Sequence, residues 1–402
     1  MQQLYNFFWQ RKINLVLAIF LLLNIVLDII NQRFWLNDFR VYYEAATHLR
    51  NHQNIYGEAF GLDSGFYKYS PFAAFLFIPI SLLNYSIAKI IFFCISSTAI
   101  ITVFYFLQNW LQYFFKTEKA KNYFLIPFFT LLICAVHLQR ELHLGNLNMQ
   151  LVCLLVIAFH LIIYQKKLTA GILIGLATCF KPHFLILLPL FVLRREWKIL
   201  FTIIISVVMF LIFPAIILGW ANNYNNLLQW LATMQTHNAA NEGNEQTFLY
   251  MVHRFFNLPN STFVWFMLIA ATALSFGLLC LKHFKDEKEN ISLQKKDFAM
   301  EFFTLIAIVP NLVITDTEHF LFAMPILFSL ITFLFFTKNS KLILGISVVF
   351  LILFGLKITD VIGNDMADVY LQNSILGTSN LAIILILNFI FEKQKQQLSI
   401  SK

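Results

Sequence analysis

The sequence predicts an all-α, polytopic membrane protein, and three observations predict it. Of its 402 residues, 59% are hydrophobic and only 12% charged, against about a quarter charged in soluble domains. Mean hydropathy is +0.70. Apolar runs also recur along the whole chain, beginning with INLVLAIFLLLNIVLDII at 13–30. That first run has no small-residue cleavage pattern and is long enough to span, so it reads as an anchor rather than a removed leader.

Taken in order, the apolar runs give twelve expected segments. They lie at about 13–31, 86–108, 122–137, 149–164, 168–180, 182–193, 199–220, 262–281, 299–315, 319–337, 342–357 and 374–391. The fifth and sixth are short and meet at FKPH, 180–183, which reads as a hairpin of two half-length helices with Lys181 at its tip. With the N-terminus inside, 20 of the 29 Lys and Arg fall in inside loops and the C-terminus returns inside. Basic residues concentrate on the cytoplasmic side of membrane proteins, so charge and parity agree. The expected placement is the cytoplasmic (inner) membrane, multi-pass, as a single integral domain over 1–402, with the working face outside.

The two long outer loops are 32–85 and 221–261. In the first, Val41, Tyr42, Ala45, Ala46 and Leu49 recur at helical spacing after Asp38, which predicts an amphipathic helix lying along the membrane surface. PFAAFLFIPISLL, 71–83, is too short to cross upright and contains Pro79, so it reads as a second juxtamembrane helix.

A net charge of +8 does not make a nucleic-acid protein here, because the basic residues sit at the ends of apolar runs. The five cysteines all fall inside apolar runs, without metal-ligand spacing. They read as small buried hydrophobes. No pair of histidines has helical metal-binding spacing, so no metal is expected.

The polar residues with chemical potential gather on the outer side. Asp38 reads either as a helix cap or as a general base at the membrane surface. The two roles are compatible, because a carboxylate at a helix start has a fixed position. Asp316 and Glu318, in a tight turn with His319, are second-choice carboxylates. Lys181 is costly in a half-membrane hairpin unless paired. It reads as a snorkelling lysine or as a phosphate contact. Lys68, between Tyr67 and Tyr69, and Arg254 have the same two readings. Asn146, Asn148, Asn244 and Gln246 can serve sugar hydroxyls, since amides both donate and accept, or can shape turns.

The order of these residues resembles a known family. Asp38-Phe-Arg-Val-Tyr-Tyr-Glu-Ala-Ala, Ile55-Tyr56, and Phe66-Tyr67-Lys68-Tyr69-Ser70-Pro71-Phe72 look like the first outer loop of glycosyltransferase family 87. Gly145-Asn146-Leu147-Asn148 resembles its Gly-Gln-x-Asn, with Asn146 in place of Gln. Gly171-Ile-Leu-Ile-Gly175 running to Lys181-Pro182 resembles its glycine-rich segment. Gly243-Asn244-Glu245-Gln246-Thr247 with Arg254 resembles its Gly-Asn-Gln-Ser and Arg, with Glu245 inserted. The late VPNLVITDTEHF lacks the family's Trp and places His319 nine residues beyond Pro310.

The resemblance implies a GT-C fold. It implies an inverting membrane glycosyltransferase that moves a sugar, mannose first among them, from a polyprenyl-phosphate donor to a lipid or glycan acceptor on the outer face. Asp38 would be the catalytic base. Lys181, Arg254 and Lys68 would bind the donor phosphate. Tyr42, Tyr69, Glu141, Asn146, Asn148, Asn244, Gln246 and His319 would contact sugar or acceptor. The expected partners are membrane lipids, donor and acceptor, with no cofactor, no nucleic acid and a monomeric chain. The alternative is a multi-spanning transporter or lipid flippase. Against it, charged residues within spans are scarce, Asp28 being the main exception, and the two halves show no repeat.

Overall fold

The computed structural model describes residues 2–61, 65–115, 124–240, 244–256, 291–313, 316–337, 339–356 and 363–400. Among these the regular structure is helical, and the only β pairing is an isolated antiparallel bridge between Ala59 and Phe66. The helices are α1 (Gln2–Ile30), α2 (Asn37–Arg50), α3 (Pro71–Leu76), α4 (Ile78–Ser81), α5 (Tyr85–Phe115), α6 (Leu125–Leu144), α7 (Asn148–Ile163) and α8 (Lys167–Phe180). A 3-10 turn, Pro182–Leu187, then leads into α9 (Leu188–Leu193), α10 (Trp197–Ile212), α11 (Ala215–Leu218), α12 (Trp220–Ala240) and α13 (Phe248–Phe256). The last part holds α14 (Ile291–Leu312), a 3-10 turn Thr317–Ala323, α15 (Met324–Phe336), α16 (Lys341–Gly355), α17 (Asn364–Gln372) and α18 (Ile375–Ile400).

Six stretches among the described residues are long and apolar enough to cross a membrane: Lys12–Ile30, Tyr85–Leu111, Leu125–Leu144, Trp197–Leu218, Thr317–Phe336 and Ile375–Lys395. The sequence pattern leads one to expect twelve. The difference is one of length and charge. Helices α7, α8 and α16 have 16, 14 and 15 residues, about 21–24 Å at the helical rise, short of a hydrocarbon core of about 30 Å. α14 carries Lys295, Lys296, Asp297 and Glu301 in its first half. The expected segment 262–281 lies outside the described residues, as do the basic stretches 116–121 and 282–290.

The exposed surface of the spans suits lipid. Leu15, Leu22, Leu23, Leu27 and Ile30 on α1, and Phe201, Ile205 and Met209 on α10, are all exposed. Such faces would be costly against water and cost nothing against acyl chains.

The chain divides into two compact units. Unit one comprises Met1–Val16, Phe104–Leu138 and Glu242–Lys402; unit two comprises Leu17–Val103 and Gln139–Asn241. In unit two, α2 buries Phe39, Val41, Tyr42, Ala45, Ala46 and Leu49, the face its periodicity predicts. α3 and α4 pack against it. They break at Phe77, where α4 restarts with Pro79 in its first turn. Ser70 accepts from the Ala73 amide to start α3. α8 and α10 approach closely: a Cβ on Gly171 would lie 2.7 Å from Thr202 Cβ, and one on Gly175 2.8 Å from Ser206 Cβ. Small residues one turn apart let helix backbones meet in this way. The expected second loop, 221–261, is largely helical where described, as α12 and α13.

Candidate active site

The strongest polar cluster of unit two is built from the start of α2 and the turn between α6 and α7. α2 begins two residues earlier than a cap at Asp38 would require. Its N-cap is Leu36, which lies in the left-handed region at φ 49° and makes no side-chain cap. A leucine there costs roughly 1–2 kcal/mol, so its surroundings hold it in place. Asp38 sits in the first turn of α2, where the helix dipole favours a carboxylate. Its Oδ2 accepts a hydrogen bond from Asn146 Nδ2 at 2.9 Å.

Gly145 makes that contact possible. It ends α6 at φ +68°, and Asn146 N returns to Glu141 O at 3.1 Å, the usual glycine-terminated helix end. A Cβ on Gly145 would lie 2.9 Å from Phe39 Cβ and 3.0 Å from Leu36 Cβ. The α6–α7 turn is therefore pressed against the start of α2, and only glycine fits at the point of closest approach. Asn146 then links three groups: besides Asp38, its Oδ1 accepts from Leu147 N at 2.7 Å and from Tyr42 Oη at 3.4 Å.

Two residues further on, Asn148 anchors a deeper layer. Its Nδ2 donates to Glu141 Oε2 at 2.8 Å, and its Oδ1 accepts from Lys181 Nζ at 2.7 Å. Glu141 Oε1 accepts from Met149 N at 2.9 Å, which satisfies an open amide at the start of α7. Glu141 and Asn148 are fully buried and Lys181 is 5% exposed. Lys181 reaches this place because Pro182 stops α8: the residue before a proline is driven to extended backbone, and Lys181 has φ -129°, ψ 101°. Buried charges are tolerated only when paired and hydrogen-bonded, and here an asparagine bonds both.

Aromatic rings wall the cluster. Tyr42 and Tyr69 meet edge to face with centroids 5.2 Å apart, their hydroxyls 3.2 Å apart. Tyr69 also meets Phe180 at 6.4 Å. Tyr56 Oη donates to Tyr69 O at 2.8 Å, and Tyr67 Oη to Ser70 O at 2.9 Å. Burial pushes the Tyr42 phenol well above its ordinary range, and Tyr69 and the Asp38 carboxylate push the same way. Tyr42 therefore stays protonated and able to donate. Lys68 is half-buried beside Tyr69, and its backbone carbonyl accepts from Trp230 Nε1 at 3.2 Å. Asp38 and Tyr69 are themselves half-buried, while Tyr42 and Asn146 beside them are buried.

Asn244, Gln246, Arg254 and His319 belong to unit one. Gln246 is buried; its Nε2 donates to Leu371 O at 2.7 Å and its Oε1 accepts from Gly377 N at 3.0 Å. Asn244 Oδ1 accepts from Gln246 N at 3.0 Å. Arg254 donates to Gln372 O, and to Asn373 Oδ1 at 2.9 Å. His319 Nδ1 lies 3.1 Å from Asp316 O. Among the described residues no group of three His, Cys, Asp or Glu gathers as metal ligands.

One pair in unit two escapes sequence reading. His143 Nδ1 lies 3.1 and 3.2 Å from the two oxygens of Asp28. The residues are 115 apart, and the only hint in the sequence is a carboxylate near the end of α1.

The family model for glycosyltransferase family 87 matches residues 66–308. That range includes Lys68, Tyr69, Glu141, Asn146, Asn148, Lys181, Asn244, Gln246 and Arg254; Asp38, Tyr42 and His319 lie outside it. An alpha-(1->3)-arabinofuranosyltransferase of Corynebacterium glutamicum is 24% identical over 253 residues, 62% of this chain and 57% of that protein. The protein of that name from Mycobacterium tuberculosis is 25% identical over 252 residues, 61% of this chain and 54% of that protein. The match thus spans little more than half the length of these relatives.

Proposed function

This chain belongs to glycosyltransferase family 87, and from that premise we propose that it is an inverting membrane glycosyltransferase using a polyprenyl-phosphate sugar, with Asp38 as general base. The observation that carries the reading is the Asn146–Asp38 hydrogen bond. It joins a residue inside the family match to the half-buried carboxylate that precedes it. A hydrogen bond from a fixed amide holds the carboxylate in position, and an ionised carboxylate accepts protons.

In the proposed step an acceptor hydroxyl oxygen attacks the anomeric carbon. Its proton passes to Asp38, the bond from that carbon to phosphate oxygen breaks, and polyprenyl phosphate leaves. A positioned base of this kind contributes about 10²–10⁴-fold. The leaving phosphate needs positive charge or donors. Lys181 supplies charge from the buried end of the network, and Lys68 and Arg254 are the remaining candidates. Tyr42, Tyr69 and Asn146 line the sugar side, and Glu141 with Asn148 fixes Lys181. Asn244 and His319 stay candidates for acceptor contact, and Gln246, which bonds Leu371 O and Gly377 N, is assigned a structural role. The working face is the outer side of the inner membrane, and the acceptor is a lipid or glycan.

The sugar is the point on which the sources of the reading differ. The motif resemblance suggests mannose, whereas both relatives are named as arabinofuranosyltransferases. The proposal therefore takes arabinofuranose as the first donor to test and mannose as the second. The experiment uses the full chain in nanodiscs with synthetic polyprenyl-phosphate arabinofuranose or mannose and a crude glycolipid acceptor pool. Release of carrier phosphate with either donor, lowered about 10²–10⁴-fold by Asp38→Asn in a folded protein, supports the reading. No release with either donor, or full activity of Asp38→Asn, overturns it.

A further inference from the structure

We propose that Tyr85 and Lys89, at the start of α5, are positioning residues that aim Asp38; the inference rests on Asp38 being the base. In the segment between α1 and α2 the Asn31, Gln32, Arg33 and Trp35 amides bond to backbone carbonyls, and Phe34 and Leu36 are buried. One helix face supplies further donors to the segment's carbonyls. Tyr85 Oη donates to Trp35 O at 2.6 Å and approaches Leu36 O at 3.2 Å. Lys89 Nζ donates to Phe34 O at 2.9 Å and sits 4.9 Å from the centre of the Phe34 ring. Tyr85 and Lys89 are four residues apart, which puts both on one face of a helix.

The Phe34 and Trp35 carbonyls are thus held by two side chains, directly before Leu36, a leucine in left-handed backbone two residues before Asp38 whose own carbonyl accepts from Arg40 N at 2.9 Å. The same Tyr85 ring stacks on Phe39 at 5.9 Å and 15°, and Phe39 is the residue against which Gly145 packs. The clamp therefore touches both the segment that carries Asp38 and the side chain against which the Asn146 turn rests. If Leu36 relaxed toward ordinary backbone, the first turn of α2 would swing, and Asp38 with it. A lysine near the end of a span would ordinarily be read as a headgroup anchor; Lys89 instead turns its ammonium to a backbone carbonyl.

The test is a double-mutant cycle on the full chain in nanodiscs with whichever donor is active. Tyr85→Phe removes the hydroxyl and keeps the ring. It is expected to lower kcat on the order of tenfold or more, with the donor KM unchanged. In the Asp38→Asn background, Tyr85→Phe should leave the residual rate unchanged, because no base remains to aim. Hydrogen exchange of the 37–41 amides should rise in Tyr85→Phe. Lys89→Met repeats the cycle through the other side chain and serves if Tyr85→Phe does not fold. Wild-type kcat in both variants overturns the proposal. So does an equal loss in the Asp38→Asn background, which would mark general damage. Full activity of Asp38→Asn alone removes the base assignment, and the proposal with it, and is recognised separately.

Discussion

Both units bury side-chain amides, and the unit-two cluster uses them differently from unit one. In the unit-two cluster the amides connect side chains: Asn146 joins Asp38 to Tyr42, and Asn148 joins Glu141 to Lys181, whereas Asn223, outside the cluster, bonds Leu211 O. In unit one most of the bonds run to backbone. Gln246 ties Leu371 and Gly377, Asn311 ties Gln246 and Gly377, and Asn380 ties Ala307. The same amide chemistry therefore fixes ionisable groups in the unit-two cluster and staples helices in unit one. An amide bonded to carboxylates and an ammonium marks a site; an amide bonded to carbonyls marks a joint.

The largest effect expected from this contrast is on rate. Asp38→Asn should cost about 10²–10⁴-fold in turnover with little change in melting temperature, read by carrier-phosphate release and thermal unfolding of one preparation. Gln246→Ala should do the reverse, lowering stability by about 1–3 kcal/mol through unsatisfied buried groups while donor KM stays put. If Gln246→Ala abolished turnover in a protein of normal stability, the division into site and joint would be wrong.

Next comes the deep layer. Glu141→Gln removes the carboxylate from the buried layer that Asn148 shares with Lys181 and should destabilise by about 3–5 kcal/mol. Adding Lys181→Met should recover part of that loss, since neighbours sharing a network are not additive. Chemical denaturation of the single and double variants measures it. Additive losses would mean that Asn148 does not couple the two charges.

A pair of glycines sharpens the comparison at lower energy. Gly145→Ala meets both a positive φ and Phe39 Cβ at 2.9 Å, whereas Gly377→Ala meets Gln246 O. Each should cost about 1–3 kcal/mol. Only Gly145→Ala should also lower kcat, by moving Asn146 away from Asp38. Equal kcat in the two variants would argue against the 145–146 turn as part of the site.

The smallest effect is alkaline. Burial holds the phenols of Tyr42, Tyr56 and Tyr67 well above 10.0. In the unfolded chain they release protons near that value, so the folded state binds more protons above it. Their contribution is complete below about pH 10 and is lost as pH rises further. Melting curves between neutral and strongly alkaline pH should show the decline, and Tyr42→Phe should flatten it. An unchanged slope in that variant would place the titration elsewhere.

Much of the local architecture is legible in the sequence. The apolar face of α2 follows from spacing, the break at Lys181 from Pro182, and the Gly145–Asn146 turn from its motif. The pairings are not legible, because they join residues far apart in the chain: Asp38 with Asn146 over 108 positions, Asp28 with His143 over 115, and Tyr85 with Trp35 over 50. Nor does local pattern separate Gln246 from Asn146, since both are amides close to a glycine. The cap reading of Asp38 fails by two residues, because Leu36 adopts a backbone conformation that leucine rarely takes.

By itself the sequence determined the helical membrane class, the candidate residues and the family, because hydropathy, helical period and proline or glycine breaks act over a few residues. Only the tertiary structure decided which helices reach spanning length, which amides hold charges and what braces Asp38. Those outcomes depend on close approach between distant segments, such as Gly145 against Leu36 and Phe39, where a single added methyl group would not fit.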